Sequence, residues 1–226
     1  MTTFVLIHGG GDTGSSFGLV AKQLEARGHE VLAPDLPASD DALRLEDYAD
    51  AVVALVGSRR DVVVLGHSFG GFTAPLAAAR LPATALVLLA GMVPLPGESP
   101  ERWWAATGYA EAVAAQAARD GGLTGNEDPY VSYYHDVPRA LAAEALRRER
   151  DHPSMTAYAE PWPAEAWPDV PTHFLLCTED RIFPPDLFRR IVPERLGIVP
   201  DEMPGGHCVF LSRPVELADR LVRYLG

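Results

Sequence analysis

The chain has 226 residues, 47% apolar and 22% charged, the composition of a globular protein able to bury a core. At roughly 150 residues per domain it reads as one large domain or one domain with an insertion. Nineteen basic residues against 31 acidic ones give a net charge of −12, which repels nucleic-acid backbones and anionic membrane surfaces. The densest basic cluster, Arg147, Arg148 and Arg150, is interleaved with Glu144, Glu149 and Asp151.

Two cysteines, Cys177 and Cys208, are too few for a disulfide scaffold and suit a reducing compartment. Lys22 is the only lysine. The opening Met1-Thr2-Thr3 runs directly into Phe4-Val5-Leu6-Ile7 with no basic segment and no long apolar stretch before it, so a cytoplasmic location is expected. Apolar runs such as Ala85 to Ala90 fall far short of the roughly 20 residues of a membrane span.

Short apolar runs at Phe4–Ile7, Glu30–Ala33, Val62–Leu65, Ala85–Leu89, His173–Cys177 and Ile198–Met203 are continuous rather than alternating, which predicts strands buried on both faces. Between the first ones, helical periodicity spans Phe17–Arg27, Ala42–Val56 and Phe72–Arg80. Alternating strands and helices predict a doubly wound α/β fold with a mostly parallel sheet of about six strands. The alternation breaks after Ala90, and a helical cap inserted over about residues 94–168 is expected within a single domain spanning 1–226. Its signals are a helix start at Ser99-Pro100, an alanine-rich helix over about Ala110–Arg119, a turn at Gly121–Gly125 and a helix over Arg139–Arg150. All four tryptophans, Trp103, Trp104, Trp162 and Trp167, fall in it.

After the third strand comes Gly66-His67-Ser68-Phe69-Gly70-Gly71, the G-x-S-x-G pattern of a nucleophile elbow between a strand and a helix. The sharp turn exposes the Ser68 hydroxyl at the carboxyl end of the sheet, above a helix N-terminus with unpaired N–H groups. A serine hydroxyl needs a base to take its proton, and an elbow of this kind finds its acid and then its histidine later in the chain. Of seven histidines, His207 in Gly205-Gly206-His207 follows the last strand on a glycine hinge and is the candidate base. His67, adjacent to the serine in extended backbone, is expected to point away, and His8 to support its turn. For the orienting acid, Thr178-Glu179-Asp180-Arg181 closes the penultimate strand and offers Asp180, with Glu179 as its competitor. An acid one strand earlier would have to be Glu98, already inside the cap.

The first loop, His8-Gly9-Gly10-Gly11-Asp12-Thr13-Gly14, has two readings. As an oxyanion loop, its Gly10 N–H joins that of Phe69 to stabilise a tetrahedral intermediate. As a dinucleotide fingerprint, Gly9, Gly11 and Gly14 fit G-x-G-x-x-G, with Asp35 at the end of the second strand. Against an NAD(P)-dependent oxidoreductase, Lys22 has no tyrosine four residues upstream, and the Ser68, Asp180 and His207 positions would go unexplained. The same scarcity of lysine opposes Schiff-base chemistry, and no P-loop or metal-ligand spacing occurs, so neither cofactor nor metal is expected.

With these sites in order, the chain resembles the α/β-hydrolases from its first strand to Gly226, and within them the small esterases grouped with plant methylesterases and hydroxynitrile lyases. The resemblance implies Ser68 as nucleophile, Asp180 as acid, His207 as base, and Gly10 and Phe69 as oxyanion donors. The lyases of that group have a threonine after the loop histidine and a lysine after the catalytic one, where this chain has Gly9 and Cys208. Aspartate-nucleophile hydrolases would need Asp at Ser68. The expected activity is cofactor-free hydrolysis of a small carboxylic ester, thioester or lactone with an apolar part. The aromatic cap either lines that pocket, through Trp104 and Tyr134 for instance, or builds its own core. A ligand-binding protein on the same scaffold is the alternative reading.

Overall fold

A computed structural model describes residues 1–148 and 152–225. Its strands are β1 (Thr3–Ile7), β2 (Glu30–Leu32), β3 (Val62–His67), β4 (Ala83–Leu89), β5 (Thr172–Cys177) and β6 (Asp201–Met203). They form one sheet in the order β2-β1-β3-β4-β5-β6, parallel at every pairing. The helices are α1 (Gly18–Ala26), α2 (Leu45–Val56), α3 (Gly70–Ala78), α4 (Pro100–Ala106), α5 (Tyr109–Asp120), α6 (Arg139–Arg147), α7 (Met155–Ala159), α8 (Pro185–Leu196), α9 (Val209–Ser212) and α10 (Pro214–Arg223).

A parallel sheet needs cover on both faces, and alternate strand residues enter two separate cores. Val5, Ile7, Val62, Val64, Leu86 and Leu88 pack on one face with α2, α3 and α8. Phe4, Leu6, Val63, Leu65, Val87 and Leu89 pack on the other with α1 and α10. Two cores fed by one strand explain runs that are apolar at every position. The edge strands β2 and β6 are three residues long and carry Glu30, Asp201 and Glu202, a length and charge that discourage further strand pairing.

Helix α2 shows how the sequence pattern becomes packing. Leu45, Tyr48, Ala49, Val52 and Val56 recur at helical spacing and are buried, while Glu46 and Asp47 occupy the first turn, favourably placed against the helix dipole. Asp47 accepts the N–H of Arg44 at 2.7 Å, and Gly57 at φ 60° ends the helix. The helix starts at Leu45 rather than Ala42, because Asp40 takes the N–H of Ala42 in a turn before it. The last strand is likewise shorter than Ile198–Met203: Gly197 caps α8 in a left-handed conformation and Pro200 has no N–H to donate, so pairing begins at Asp201. The helix expected over Arg139–Arg150 is observed to Arg147, and its last residues, Glu149 and Arg150, lie outside the described ones.

Helices α4 to α7 fall between β4 and β5, in the expected insertion. Ser99 accepts the N–H of Arg102 at 3.3 Å with Pro100 in the first turn, as its sequence predicts. The insertion does not segregate a core of its own. Trp103, Ala157 and Trp162 belong to the core on the α2, α3 and α8 face, whereas Tyr134, Ala142 and Ala145 belong to the opposite one. A buried ion pair fastens its start, since Arg195 of α8 donates to both carboxylate oxygens of Glu98 at 2.5 and 3.0 Å and to the carbonyl of Val93 at 2.6 Å.

Candidate active site

Strand β3 hands over to α3 through Ser68, whose φ of 50° is in the left-handed region that a side chain rarely adopts; such strain costs about 1–3 kcal/mol and persists where its surroundings enforce it. Here the Ser68 N–H donates to Leu89 O at 3.3 Å, and its carbonyl accepts from Gly71 N at 3.0 Å and Met92 N at 2.9 Å. The flanking glycines are there for proximity. A Cβ on Gly66 would lie 2.6 Å from the Ala74 Cβ, and one on Gly70 would lie 2.7 and 2.8 Å from the carbonyls of His8 and Ile7. Among the described residues, neither the Phe69 nor the Gly10 backbone N–H is paired with a protein acceptor.

Ser68 and His207 line one cavity of about 40 Å³, together with Gly9, Gly10, Asp12, Tyr133 and Tyr134. His207 Nδ1 meets Asp180 Oδ2 at 2.8 Å, and both side chains are almost completely buried. The other carboxylate oxygen, Oδ1, accepts the backbone N–H groups of Ile182 at 2.8 Å and Phe183 at 2.9 Å. Three hydrogen bonds therefore fix the carboxylate plane. With Nδ1–H donated to Asp180, the lone pair of the His207 imidazole sits on Nε2. Of the two adjacent acids, Asp180 is the one on the imidazole; the Glu179 backbone instead donates to Gly205 O at 3.0 Å. Glu98 is committed to Arg195 and does not serve the histidine.

His67 does not point away from the site. Its ring lies 4.6 Å from that of His207, centroid to centroid, and its Nε2–H donates to the His207 carbonyl at 3.1 Å. Burial, and next the proximity of His207, push its pKa well below the usual value, so the ring is neutral and does not compete for positive charge. The sequence does not show this contact because it joins the end of β3 to a loop 140 residues later in the chain, although the place of His67 beside the nucleophile is a pointer. His8 supports its turn as expected: Nδ1–H donates to Gly9 O at 2.8 Å, and Nε2 accepts the N–H of Leu36 at 3.0 Å.

The aromatic side chains at the cavity are tyrosines, not tryptophans. Tyr134 lines it as expected, and Tyr133 approaches His207 edge-on at 5.6 Å. Trp104 does not line it: its indole stacks on Phe183 at 5.9 Å and donates to Tyr158 Oη at 3.0 Å. It acts one layer back, since Phe183 in turn packs 5.3 Å from the His207 ring. Tyr109 joins the same aromatic group, with its hydroxyl pushed up to about 12, chiefly by burial, so it is neutral at ordinary pH. Burial also pushes the Cys177 thiol up, which makes it a poor nucleophile.

The dinucleotide alternative loses its acidic residue. Asp35 Oδ1 accepts the N–H of Gly14 at 2.7 Å, so the carboxylate that would hold a ribose instead closes the glycine loop on itself. Among the described residues, no group of three or more His, Cys, Asp or Glu side chains is placed to hold a metal ion. No described helix is long and apolar enough to cross a membrane.

A parallel sheet, a strained serine between strand and helix, and a buried Asp–His pair whose imidazole lines the same cavity as that serine define a hydrolase architecture, and the chain belongs to the alpha/beta hydrolase family, whose model matches residues 4–220. Within the family it is similar to polyneuridine aldehyde esterase of Rauvolfia serpentina, at 27% identity over 97% of this chain and 94% of the relative. It is also similar to salicylic acid-binding protein 2 of Nicotiana tabacum, at 28% identity over 97% and 95%. The crystal structure of polyneuridine aldehyde esterase shares the fold with a TM-score of 0.77, covering 99% of this chain and 98% of that one at 22% identity. The resemblance to the plant methylesterase group read from the motifs is borne out by these relatives.

Proposed function

We propose that the protein is a serine esterase that hydrolyses a small carboxylic ester, thioester or lactone through an acyl-enzyme on Ser68. The observation that carries the reading is the buried 2.8 Å contact of Asp180 Oδ2 with Nδ1 of His207, whose imidazole lines the same cavity as Ser68. Relatives named as esterases favour ester substrates.

In this reading the Ser68 Oγ attacks the carbonyl carbon as His207 Nε2 takes its proton. Asp180 holds the imidazole in the Nδ1–H tautomer and stabilises the imidazolium. The Phe69 and Gly10 N–H groups donate to the developing oxyanion, a contribution of about 3–4 kcal/mol per donor in comparable sites. His207 then protonates the leaving alkoxide. Water, deprotonated by the same Nε2, attacks the acyl-enzyme, and His207 returns that proton to Ser68 Oγ as the acid is released. The cavity, about 40 Å³ and walled by Tyr133 and Tyr134, sets the tyrosine faces against the apolar part of a small substrate.

The test is covalent labelling by a fluorophosphonate. The wild-type chain is expected to label with one equivalent and Ser68→Ala not at all, with turnover of a short-chain p-nitrophenyl ester lost in parallel. A Ser68→Ala variant that still labels refutes the assignment. Labelling without turnover across esters, thioesters and lactones would favour a binding protein, as the name of the tobacco relative suggests.

A further inference from the structure

One dipeptide of the insertion touches both loops that carry the Asp180–His207 pair. His135 Nε2–H donates to the carbonyl of Glu179 at 2.9 Å, one residue before Asp180. The next residue, Asp136, accepts on Oδ2 the backbone N–H of Gly206 at 2.8 Å, one residue before His207, and on the same atom the Ser212 hydroxyl of α9 at 2.8 Å. The ring closes between the two loops, where the Glu179 N–H donates to Gly205 O at 3.0 Å. The fit is tight enough to require glycine: a Cβ on Gly206 would lie 2.6 Å from His135 Nε2 and 2.8 Å from Asp136 Oδ1.

We propose that His135 and Asp136 are positioning residues that clamp the acid and base loops together, so that the insertion sets the alignment of His207 over Ser68. The inference rests on the triad reading above. A carboxylate accepting a backbone N–H is among the stronger hydrogen bonds available, and here it holds a residue adjacent to the base on a loop that contains two glycines. The clamp is also continuous with the cavity wall, because Tyr133 and Tyr134, which line it, directly precede His135. Substrate contact and triad alignment therefore share one stretch of backbone.

The experiment uses the full chain, a short-chain p-nitrophenyl ester, and Asp136→Ala, Asp136→Asn and His135→Ala, each in the parent and in a His207→Ala background, with melting temperatures alongside. Because a misplacement of about 1 Å costs on the order of 100-fold, Asp136→Ala is expected to lower kcat by about 10- to 100-fold with KM changed less than about twofold. Asp136→Asn keeps an oxygen for the Gly206 N–H and is expected to recover kcat to within about threefold of the parent. In the His207→Ala background none of the substitutions should lower the residual rate further, because the clamp acts through that imidazole. Parental kcat in both Asp136→Ala and His135→Ala, an Asn variant as poor as Ala, or an equal loss without His207 each overturns the clamp. Should Asp136→Ala fail to fold, His135→Ala and Asp136→Asn decide by the same criteria. Parental turnover in His207→Ala itself overturns the triad reading and the clamp with it, whereas a dead His207→Ala beside fully active Asp136→Ala and His135→Ala variants removes the clamp alone.

Discussion

Asp180→Asn tests the site most directly, because the structure fixes which atom goes where. Asp180 Oδ1 accepts two backbone N–H groups, from Ile182 and Phe183, while Oδ2 faces His207 Nδ1. An asparagine cannot turn its amide nitrogen toward two N–H donors, so its oxygen stays with the backbone and its NH₂ faces the imidazole. His207 Nδ1 must then accept, and the proton moves to Nε2, where a base is needed. The fold is retained, since the three hydrogen bonds and the side-chain volume survive, but the tautomer is wrong. The corresponding change in a serine protease lowers kcat by about 10⁴, which at 1.36 kcal/mol per decade is about 5 kcal/mol of transition-state stabilisation. A loss of three to four decades in kcat is expected here, read from p-nitrophenyl ester turnover and from the second-order rate of fluorophosphonate labelling, with an unchanged melting temperature to within a few degrees. Glu179→Gln, one residue away, should stay within about twofold of the parent. A drop of less than tenfold in Asp180→Asn, or an equal loss in Glu179→Gln, refutes the reasoning.

Three further outcomes follow from the packing. His67 is buried with its pKa lowered well below 6.5, so the unfolded chain binds a proton that the folded one refuses; stability is fully present above about pH 6.5 and falls as pH drops below it. The melting temperature should decline between pH 6.5 and 5, where carboxylates are still ionised, and His67→Gln should flatten that decline while lowering stability at pH 7; equal slopes would remove His67 from the account. Arg195→Met should strand the Glu98 carboxylate, 9% exposed, and destabilise by about 3–5 kcal/mol, whereas Arg195→Met with Glu98→Leu should regain much of it in denaturant titrations. Tyr134→Ala removes a phenol from the wall of a 40 Å³ cavity and should raise kcat/KM for hexanoyl relative to acetyl esters by about 10-fold or more; an unchanged ratio would place the acyl group elsewhere.

Much of this is legible in the sequence. Strands feeding two cores must be apolar at every position, so β1, β3, β4 and β5 announced themselves. The elbow was legible because close packing restricts Gly66 and Gly70 to glycine, leaving a pattern that no side chain can imitate. What stayed hidden depends on contacts between distant segments. Glu179 and Asp180 are equivalent as residue types at a strand end, and only the turn at Ile182 and Phe183 selects between them. Trp104 and Tyr133 are both large aromatics in the insertion, and nothing local says that one backs Phe183 while the other faces His207. His67 is expected to turn away because strand alternation fixes a side chain's face but not how far an imidazole reaches from the last paired residue of β3.

The division of the insertion between two cores sets a limit on how this enzyme can be remodelled. Trp103 and Trp162 complete one side of the sheet, while Ala142 and Ala145 complete the other, so excising the segment or grafting one from a relative would open both hydrophobic layers at once. A change of substrate range is therefore expected from replacing individual cavity-wall residues such as Tyr134 rather than from exchanging a module. The whole chain should also melt in a single cooperative transition, without a stage in which the sheet stands and its covering helices are loose.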